Sequence, residues 1–259
     1  MENIIFCSSP FQVLVAREIV QTVSEDFIGI YLKMSNDASQ TFYAERMAEF
    51  CKEVIVLEGK TVLNDIQEVL KDRPIRNLYL ASLDNPVALS IFNPSTMSLY
   101  TFDDGSTSIV PLNLYTQNLE RGIPYTNFTL REVMSLSNRH YTVFEDCLLF
   151  PKEKQVCLEL HLEPSHFHRA KNGKKISVFL GQFLGSLLYQ EDLEITQKLT
   201  AKVLDEQKID YYYPHPRVPL NPYQDKLKET RFCFEEEIYF LLEEYEFVEV
   251  HGFYSTSLL

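Results

Sequence analysis

Two adjacent carboxylates stand in the stretch FDDGS, where Asp103 and Asp104 follow the apolar run MSLYTF and precede Gly105. A carboxylate at the end of a strand can accept a proton from a substrate hydroxyl, which is general-base catalysis. Asp-Gly is also a common turn signal, because glycine reaches positive φ without steric cost. The stretch alone is therefore compatible with either a turn or a catalytic site.

A second reactive group is the imidazole of His215, which lies in YYYPHPR between Pro214 and Pro216. Proline restricts its own φ angle and the conformation of the residue before it, so this loop is stiff. A histidine held on such a loop can bind an anion or donate a proton to a leaving group. A histidine in an ordinary surface turn is the alternative.

Hydroxyl groups follow another apolar run late in the sequence, where Ser255 and Thr256 come after Gly252. If a helix begins there, its free backbone amides and these hydroxyls would bind a phosphate without a metal. A serine that only caps a helix is the alternative. Gly181, in VFLGQ, also follows an apolar run, where glycine permits a close approach to a ligand or a tight turn.

Composition and motifs disfavour several functional classes. His161, His166 and His168 match no standard metal-ligand spacing, so we expect no metal site there. Five scattered cysteines without a CxxC pair indicate reduced thiols in a cytoplasmic protein. With 24 Lys and Arg against 37 Asp and Glu, the net charge of −13 disfavours nucleic-acid binding. No GxSxG, P-loop, GxGxxG or HExxH motif occurs, and no apolar run reaches the roughly 18 residues of a membrane span.

Strand and helix patterns alternate over the first 100 residues and again after residue 170. The segment between them is less regular and contains the polar stretch HLEPSHFHRAKNGKK, which is typical of a linker. Repeated alternation predicts parallel, doubly wound sheets, which bind ligands beyond the carboxyl ends of their strands. The sequence therefore predicts an α/β protein with two Rossmann-like domains facing a cleft, residues 1–170 and 171–259.

Five motifs, taken in this order, resemble those of the bacterial lipooligosaccharide-type sialyltransferases. They are SSPFQ (Ser8 to Gln12), DDG (Asp103 to Gly105), LGQ (Leu180 to Gln182), HP (His215 and Pro216) and FYST (Phe253 to Thr256). The resemblance spans essentially the whole chain. It implies a GT-B fold in which the first domain serves the acceptor and the second binds the nucleotide sugar.

The resemblance also implies an activity. It is the inverting, metal-independent transfer of sialic acid from CMP-sialic acid to a terminal galactoside of a bacterial lipooligosaccharide or capsule, with α2,3 linkage as the family default and no cofactor. Such a transfer needs a carboxylate to take the proton of the acceptor hydroxyl, and it needs donors that meet the charge of departing CMP.

Residue by residue, the resemblance implies that Asp104 is the base and that Ser106 meets the sialic acid. The CMP phosphate would be contacted by three residues: His215, Ser255 and Thr256. The family's ribose-binding glutamate corresponds best to Glu237, with Glu235 or Glu236 as alternatives. Five further positions are expected to bind substrate: Ser9, Gln12, Gly181, Gln182 and Pro216.

Two other functions stay open: a hexosyltransferase of the same fold that uses a UDP-sugar, and a non-catalytic sugar- or nucleotide-binding protein. A glycolipid acceptor could hold the protein peripherally at the cytoplasmic face of the inner membrane. A homodimer could supply surface to the small second domain. Relatives usually continue through a C-terminal helix, whereas this sequence ends three residues after Thr256, so a truncated chain or a differently built phosphate site is expected.

Overall fold

The computed structural model describes residues 1–34, 38–59, 61–111, 113–181, 190–215, 223 and 225–252. The chain divides into two compact units, Met1–His161 and Leu162–Leu259, which are called the first and second unit below. Each unit has its own parallel sheet, with helices between most of its consecutive strands. Within the described ranges, no helix is both long and apolar enough to cross a bilayer.

Seven parallel strands form the sheet of the first unit, as far as the structure describes it. They are β1 (Glu2–Cys7), β2 (Phe27–Lys33), β3 (Glu53–Glu58), β4 (Ile75–Leu80), β5 (Ser98–Phe102), β6 (Ser137–Thr142) and β7 (Gln155–Cys157). Their spatial order is β3-β2-β1-β4-β5-β6-β7, so the direction of winding reverses between β1 and β4. Open parallel sheets bind ligands at such a switch point.

The helices of the first unit connect these strands. They are α1 (Pro10–Val23), α2 (Ala38–Arg46), α3 (Val62–Leu70), α4 (Pro86–Leu89), α5 (Leu114–Gln117) and α6 (Leu130–Leu136). Strands β1 and β2 are buried along most of their length, since packed layers cover both faces of a parallel sheet. This explains why NIIFC and FIGIYL are nearly continuous apolar runs.

The irregular middle of the sequence contributes two strands that its pattern did not reveal. β6 has the sequence SNRHYT and β7 the sequence QVC, and neither shows a clear apolar alternation. Residues 139–142 nevertheless include three buried positions, because β6 pairs with β5 inside the sheet. Tertiary pairing therefore decides these strands more than local preference does.

The second unit has a smaller sheet of three parallel strands among its described residues. Its elements are β8 (Lys175–Leu180), α7 (Gln190–Glu206), β9 (Tyr211–Tyr213), α8 (Phe234–Glu244) and β10 (Phe247–Gly252). The spatial order is β10-β8-β9. The strand–helix alternation predicted for this half is thus present in the structure.

The polar stretch before β8 packs on the second unit. Phe167 makes an edge-on ring contact with Tyr239 of α8, and the Ala170 backbone N–H donates to the Leu242 carbonyl at 2.8 Å. The division between the units falls at His161 and Leu162, earlier than the sequence-based boundary between residues 170 and 171. These contacts explain the difference, because a polar composition does not reveal which unit a segment packs against.

Candidate active site

Asp104 lies at the carboxyl end of β5 and precedes a short 3₁₀ turn, Gly105–Ser108. Gly105 has a φ of 74°, a conformation that glycine adopts without strain. The predicted turn therefore exists. The Asp104 side chain makes no capping hydrogen bond to that turn, however, and the residue is partly exposed. The stretch FDDGS therefore forms a turn and also leaves the Asp104 carboxylate partly exposed, so the two interpretations are compatible.

Three neutral side chains donate hydrogen bonds to the Asp104 carboxylate. Gln12 Nε2 donates to Oδ1 at 2.5 Å, Ser82 Oγ donates to Oδ2 at 2.8 Å, and the Tyr115 hydroxyl donates to Oδ2 at 3.3 Å. The donors come from α1, from the loop after β4 and from α5. They hold the carboxylate in one orientation beside the switch point between β1 and β4. None of the three donors carries a positive charge.

Gln12 is itself held in a defined orientation. Its Oε1 accepts the Ser8 backbone N–H at 2.6 Å, while its Nε2 donates to Asp104 and to Ser82 Oγ. Ser9 caps α1, since its side chain accepts the Gln12 backbone N–H, and Pro10 occupies the first turn. The SSPFQ turn thus starts a helix and aims one amide at Asp104.

Burial keeps Tyr115 protonated. Desolvation, reinforced by the charges of Asp104 and Asp84, raises the pKa of this phenol well above its ordinary value. Burial also raises the pKa of the Cys7 thiol at the end of β1, and the charges of Cys51 and Asp104 act in the same direction. Both groups are therefore neutral near pH 7, and Tyr115 is a hydrogen-bond donor to Asp104.

Ser106 and Asp103 flank this carboxylate in different ways. Ser106 lies in the 3₁₀ turn and is partly exposed, next to the presented acid. Asp103 is fully buried, and its Oδ2 accepts the Val143 backbone N–H at 2.7 Å. The two acids of the motif therefore occupy opposite environments.

In the second unit, two of the sequence-predicted site residues lie at one edge of the sheet. Leu180 of β8 pairs with Tyr213 of β9 and with Gly252 of β10, so the carboxyl ends of these three strands share one edge. Gly181 and the partly buried His215 lie there. Gln182, Pro216, Ser255 and Thr256 are outside the described residues.

Gly181 sits against the neighbouring strand. Its N–H donates to the Tyr213 carbonyl at 2.8 Å, and a Cβ built on it would lie 3.0 Å from that carbonyl oxygen and against the Tyr212 ring. A glycine is needed here for packing of β8 on β9, whatever it also does toward a ligand.

Glu237 is buried in the first turn of α8. Its Oε1 accepts the Tyr213 hydroxyl at 3.2 Å, and its Oε2 accepts the Thr230 hydroxyl at 2.8 Å. Both oxygens are thus bonded inside the second unit. Glu235 and Glu236 lie in the same helical turn and are partly buried. The ribose-binding role assigned to this turn stays a prediction.

The family model for glycosyltransferase family 52 matches residues 24–259. The chain belongs to glycosyltransferase family 52. Membership confirms that the protein is a glycosyltransferase, as the ordered motifs predicted.

Two named relatives of this family 52 enzyme match it over almost its whole length. It is 26% identical to the CMP-N-acetylneuraminate:β-galactoside α-2,3-sialyltransferase of Pasteurella multocida, over 99% of this chain and 86% of the relative. It is also 26% identical to the N-acetyllactosaminide α-2,3-sialyltransferase of Haemophilus influenzae, over 92% of this chain and 81% of that relative. These matches confirm the resemblance to the bacterial sialyltransferase family.

The fold of the family 52 enzyme is similar to that of a distant protein of solved structure. The UDP-GlcNAc 2-epimerase of Methanocaldococcus jannaschii superposes with a TM-score of 0.63 at 10% identity, covering 97% of this chain and 78% of that one. At this identity the likeness concerns the fold alone. Together with the two parallel sheets, it confirms the predicted GT-B-like α/β class.

The structure adds two site residues of the family 52 enzyme that the sequence did not single out. Ser82 is the last residue of the stretch NLYLAS and lies two residues after β4, so the rule that ligands bind at strand ends could have found it. Tyr115 lies on the four-residue helix α5, which has no readable periodicity. Its role depends on a contact with Asp104 that only the fold creates.

The histidines first considered for a metal have other surroundings. His161 Nδ1 lies 3.2 Å from Glu18 Oε2, and His166 and His168 are exposed. In the described parts of the family 52 enzyme, the groups spaced closely enough to ligate a metal are instead Asp103, His140 and Cys147.

Proposed function

We propose that this family 52 enzyme transfers sialic acid from CMP-sialic acid to a terminal galactoside of a bacterial surface glycan, forming an α2,3 linkage. The names of the Pasteurella and Haemophilus relatives support the donor, the acceptor class and the linkage. The observation that carries the mechanism is the Asp104 carboxylate, which is partly exposed at a strand end and oriented by Gln12, Ser82 and Tyr115.

In the proposed reaction, Asp104 is the general base. The acceptor hydroxyl oxygen attacks the anomeric carbon of the sialic acid while its proton moves to the Asp104 carboxylate. The bond from the anomeric carbon to the phosphate oxygen breaks, and its electron pair leaves with CMP. Inversion follows from attack on the face opposite the leaving group. Ser106, next to the base, would contact the sialic acid.

The second unit would bind the nucleotide at the carboxyl edge of its sheet. His215, Ser255 and Thr256 would meet the charge of the departing phosphate by hydrogen bonding, so that no metal is needed. Gly181, Gln182 and Pro216 would line the same edge. Glu237 would bind the ribose only if it exchanged its contacts with Tyr213 and Thr230; otherwise Glu235 or Glu236 takes this role.

The proposal extends to the setting of the reaction. Five free thiols fit a reducing compartment, which supports the cytoplasm. A glycolipid acceptor would bring the enzyme to the membrane surface without a spanning segment. A homodimer is a further expectation, and a monomeric mass in solution would reject it.

The donor assay tests the proposal against its nearest alternative. We expect the enzyme incubated with CMP-sialic acid and lactose to form sialyllactose, detected by mass, while UDP-galactose and UDP-GlcNAc give no product. We also expect CMP, and not UDP, to raise the melting temperature, because a ligand that binds only the folded state stabilises it. Product formation from a UDP-sugar alone would instead identify a hexosyltransferase.

A further inference from the structure

Asp103, His140 and Cys147 form a buried cluster that begins one residue before Asp104. Their exposed fractions are 0%, 1% and 4%. One side-chain N, O or S atom from each lies within 4.8 Å of the other two. Burying a carboxylate costs several kcal/mol of folding free energy unless the group is paired and hydrogen-bonded, so Asp103 needs partners inside the protein.

Both carboxylate oxygens of Asp103 have hydrogen-bonding partners, and these partners hold the turn that carries Asp104. Its Oδ2 accepts the Val143 backbone N–H at 2.7 Å. Its Oδ1 accepts the Ser108 hydroxyl and lies 3.2 Å from His140 Nε2. Since Ser108 ends the 3₁₀ turn, its bond to Asp103 closes the loop that contains Asp104.

His140 is fixed by contacts at both ring nitrogens. Its Nδ1 lies 3.0 Å from Thr101 Oγ1, which is 2.8 Å from Ser137 Oγ, and its ring stacks on Phe150 at 4.3 Å. These contacts join β5 to β6, where the register of the pair shifts between Leu99 and Thr101. A polar network thus holds the two strands together where the regular ladder is interrupted.

The charges around His140 favour its protonated form. Burial lowers the pKa of this imidazole, but its hydrogen bonds with Asp103 and Cys147 and the charge of Asp103 outweigh burial and raise it above the usual value. The titratable groups that face it are Asp103 from the end of β5 and Cys147 from the segment after β6. A protonated imidazole can donate to both the Asp103 carboxylate and the Thr101 hydroxyl.

The same three residue types can bind Zn²⁺, which takes sulfur, nitrogen and oxygen ligands. Here, however, both oxygens of Asp103 and both nitrogens of His140 are already engaged within the protein. A metal would have to displace those bonds. The geometry therefore favours a hydrogen-bonded pair over a metal site.

We propose that Asp103 and His140 are positioning residues for glycosyl transfer, whose buried pair fixes the turn that presents Asp104. This inference rests on the proposed role of Asp104 as the base. Asp104 can keep its hydrogen bonds to Gln12, Ser82 and Tyr115 only while that turn stays in place. Displacing a catalytic group by about 1 Å can cost on the order of 100-fold in rate.

His140→Leu and His140→Gln test the inference. Leucine removes the polar contacts of both ring nitrogens. Glutamine can place an amide N–H near the former position of Nε2 and donate to Asp103. We expect His140→Leu to lower kcat by about 10- to 100-fold, with the KM of donor and acceptor nearly unchanged, and His140→Gln to restore most of it. If the leucine variant does not fold, Thr101→Val removes one hydroxyl at nearly constant volume and should lower kcat in the same way.

Asn3→Leu is the matched control, because Asn3 is also a buried polar residue of this sheet but lies at its amino edge. It should lower the melting temperature and leave kcat unchanged. An unchanged kcat in His140→Leu, or a loss that glutamine does not rescue, would overturn the inference. So would one equivalent of zinc in the purified wild-type enzyme that is lost in His140→Leu.

Asp104→Asn, measured in parallel, separates this inference from the proposed function. If Asp104→Asn is inactive while His140→Leu has wild-type kcat, the positioning role is wrong and the base is right. If Asp104→Asn is fully active, the base itself is wrong, and the positioning role is wrong with it.

Discussion

The two carboxylates of FDDGS are neighbours in the chain but differ in every contact. Asp103 is fully buried and bonded to Val143, Ser108 and His140, whereas Asp104 is partly exposed and bonded to side chains from three other segments. Successive side chains at the end of a strand point in opposite directions, which accounts for the split. A proton acceptor needs access to its substrate, and of the two acids Asp104 is the one with access.

Tyr115→Phe should weaken this arrangement in a graded manner. The substitution keeps the buried ring and removes one of the two hydroxyl donors to Asp104 Oδ2. Because a neutral hydrogen bond contributes about 0.5–1.5 kcal/mol, we expect kcat to fall about two- to tenfold in steady-state assays. Tyr125→Phe, at a residue that is 78% exposed, is the control and should match wild type. Equal kcat values for Tyr115→Phe and Tyr125→Phe would show that the Tyr115 hydroxyl does not contribute to catalysis.

At the scale of elements, the site consists of strand ends, and this is why much of it could be predicted. The apolar runs before Ser8 and Asp104 are readable as strands, and parallel strands bring their carboxyl ends to one edge. Tyr115 could not be found in this way, because α5 is a single short turn. His140 was missed for a related reason: β6 is polar in sequence and becomes a strand only by pairing with β5.

Gly181→Ala tests the packing of β8 against β9. A methyl group there would clash with the Tyr212 ring and crowd the Tyr213 carbonyl oxygen, so the ring or the backbone of β9 must shift. Overpacking of this kind costs about 1–3 kcal/mol, and we expect a lower melting temperature in thermal unfolding followed by circular dichroism.

Gly122→Ala serves as the control for Gly181→Ala. A Cβ at Gly122 has no neighbouring atom within 4 Å among the described residues, and this variant should melt like wild type. If both alanine variants have the melting temperature of the wild type, the close approach of β8 and β9 does not contribute to stability.

At the scale of the whole molecule, the alternation of strands and helices was enough to predict two parallel-sheet units. The boundary between them was less accessible to prediction, because the polar stretch after His161 contacts α8 through Phe167 and Ala170. The fold alone does not specify the sugar that is transferred, since unrelated functions share it. The assignment of function therefore depends on the residues at the strand ends and on the family.

Asp104→Asn is the most direct measurement of the central claim. The amide keeps the size of the side chain but cannot accept the proton of the acceptor hydroxyl. We expect kcat with CMP-sialic acid and lactose to fall by about 10²- to 10⁴-fold, the usual contribution of a general base. Binding of CMP, measured by calorimetry, should be retained. Sialyllactose formation at the wild-type rate would contradict the account.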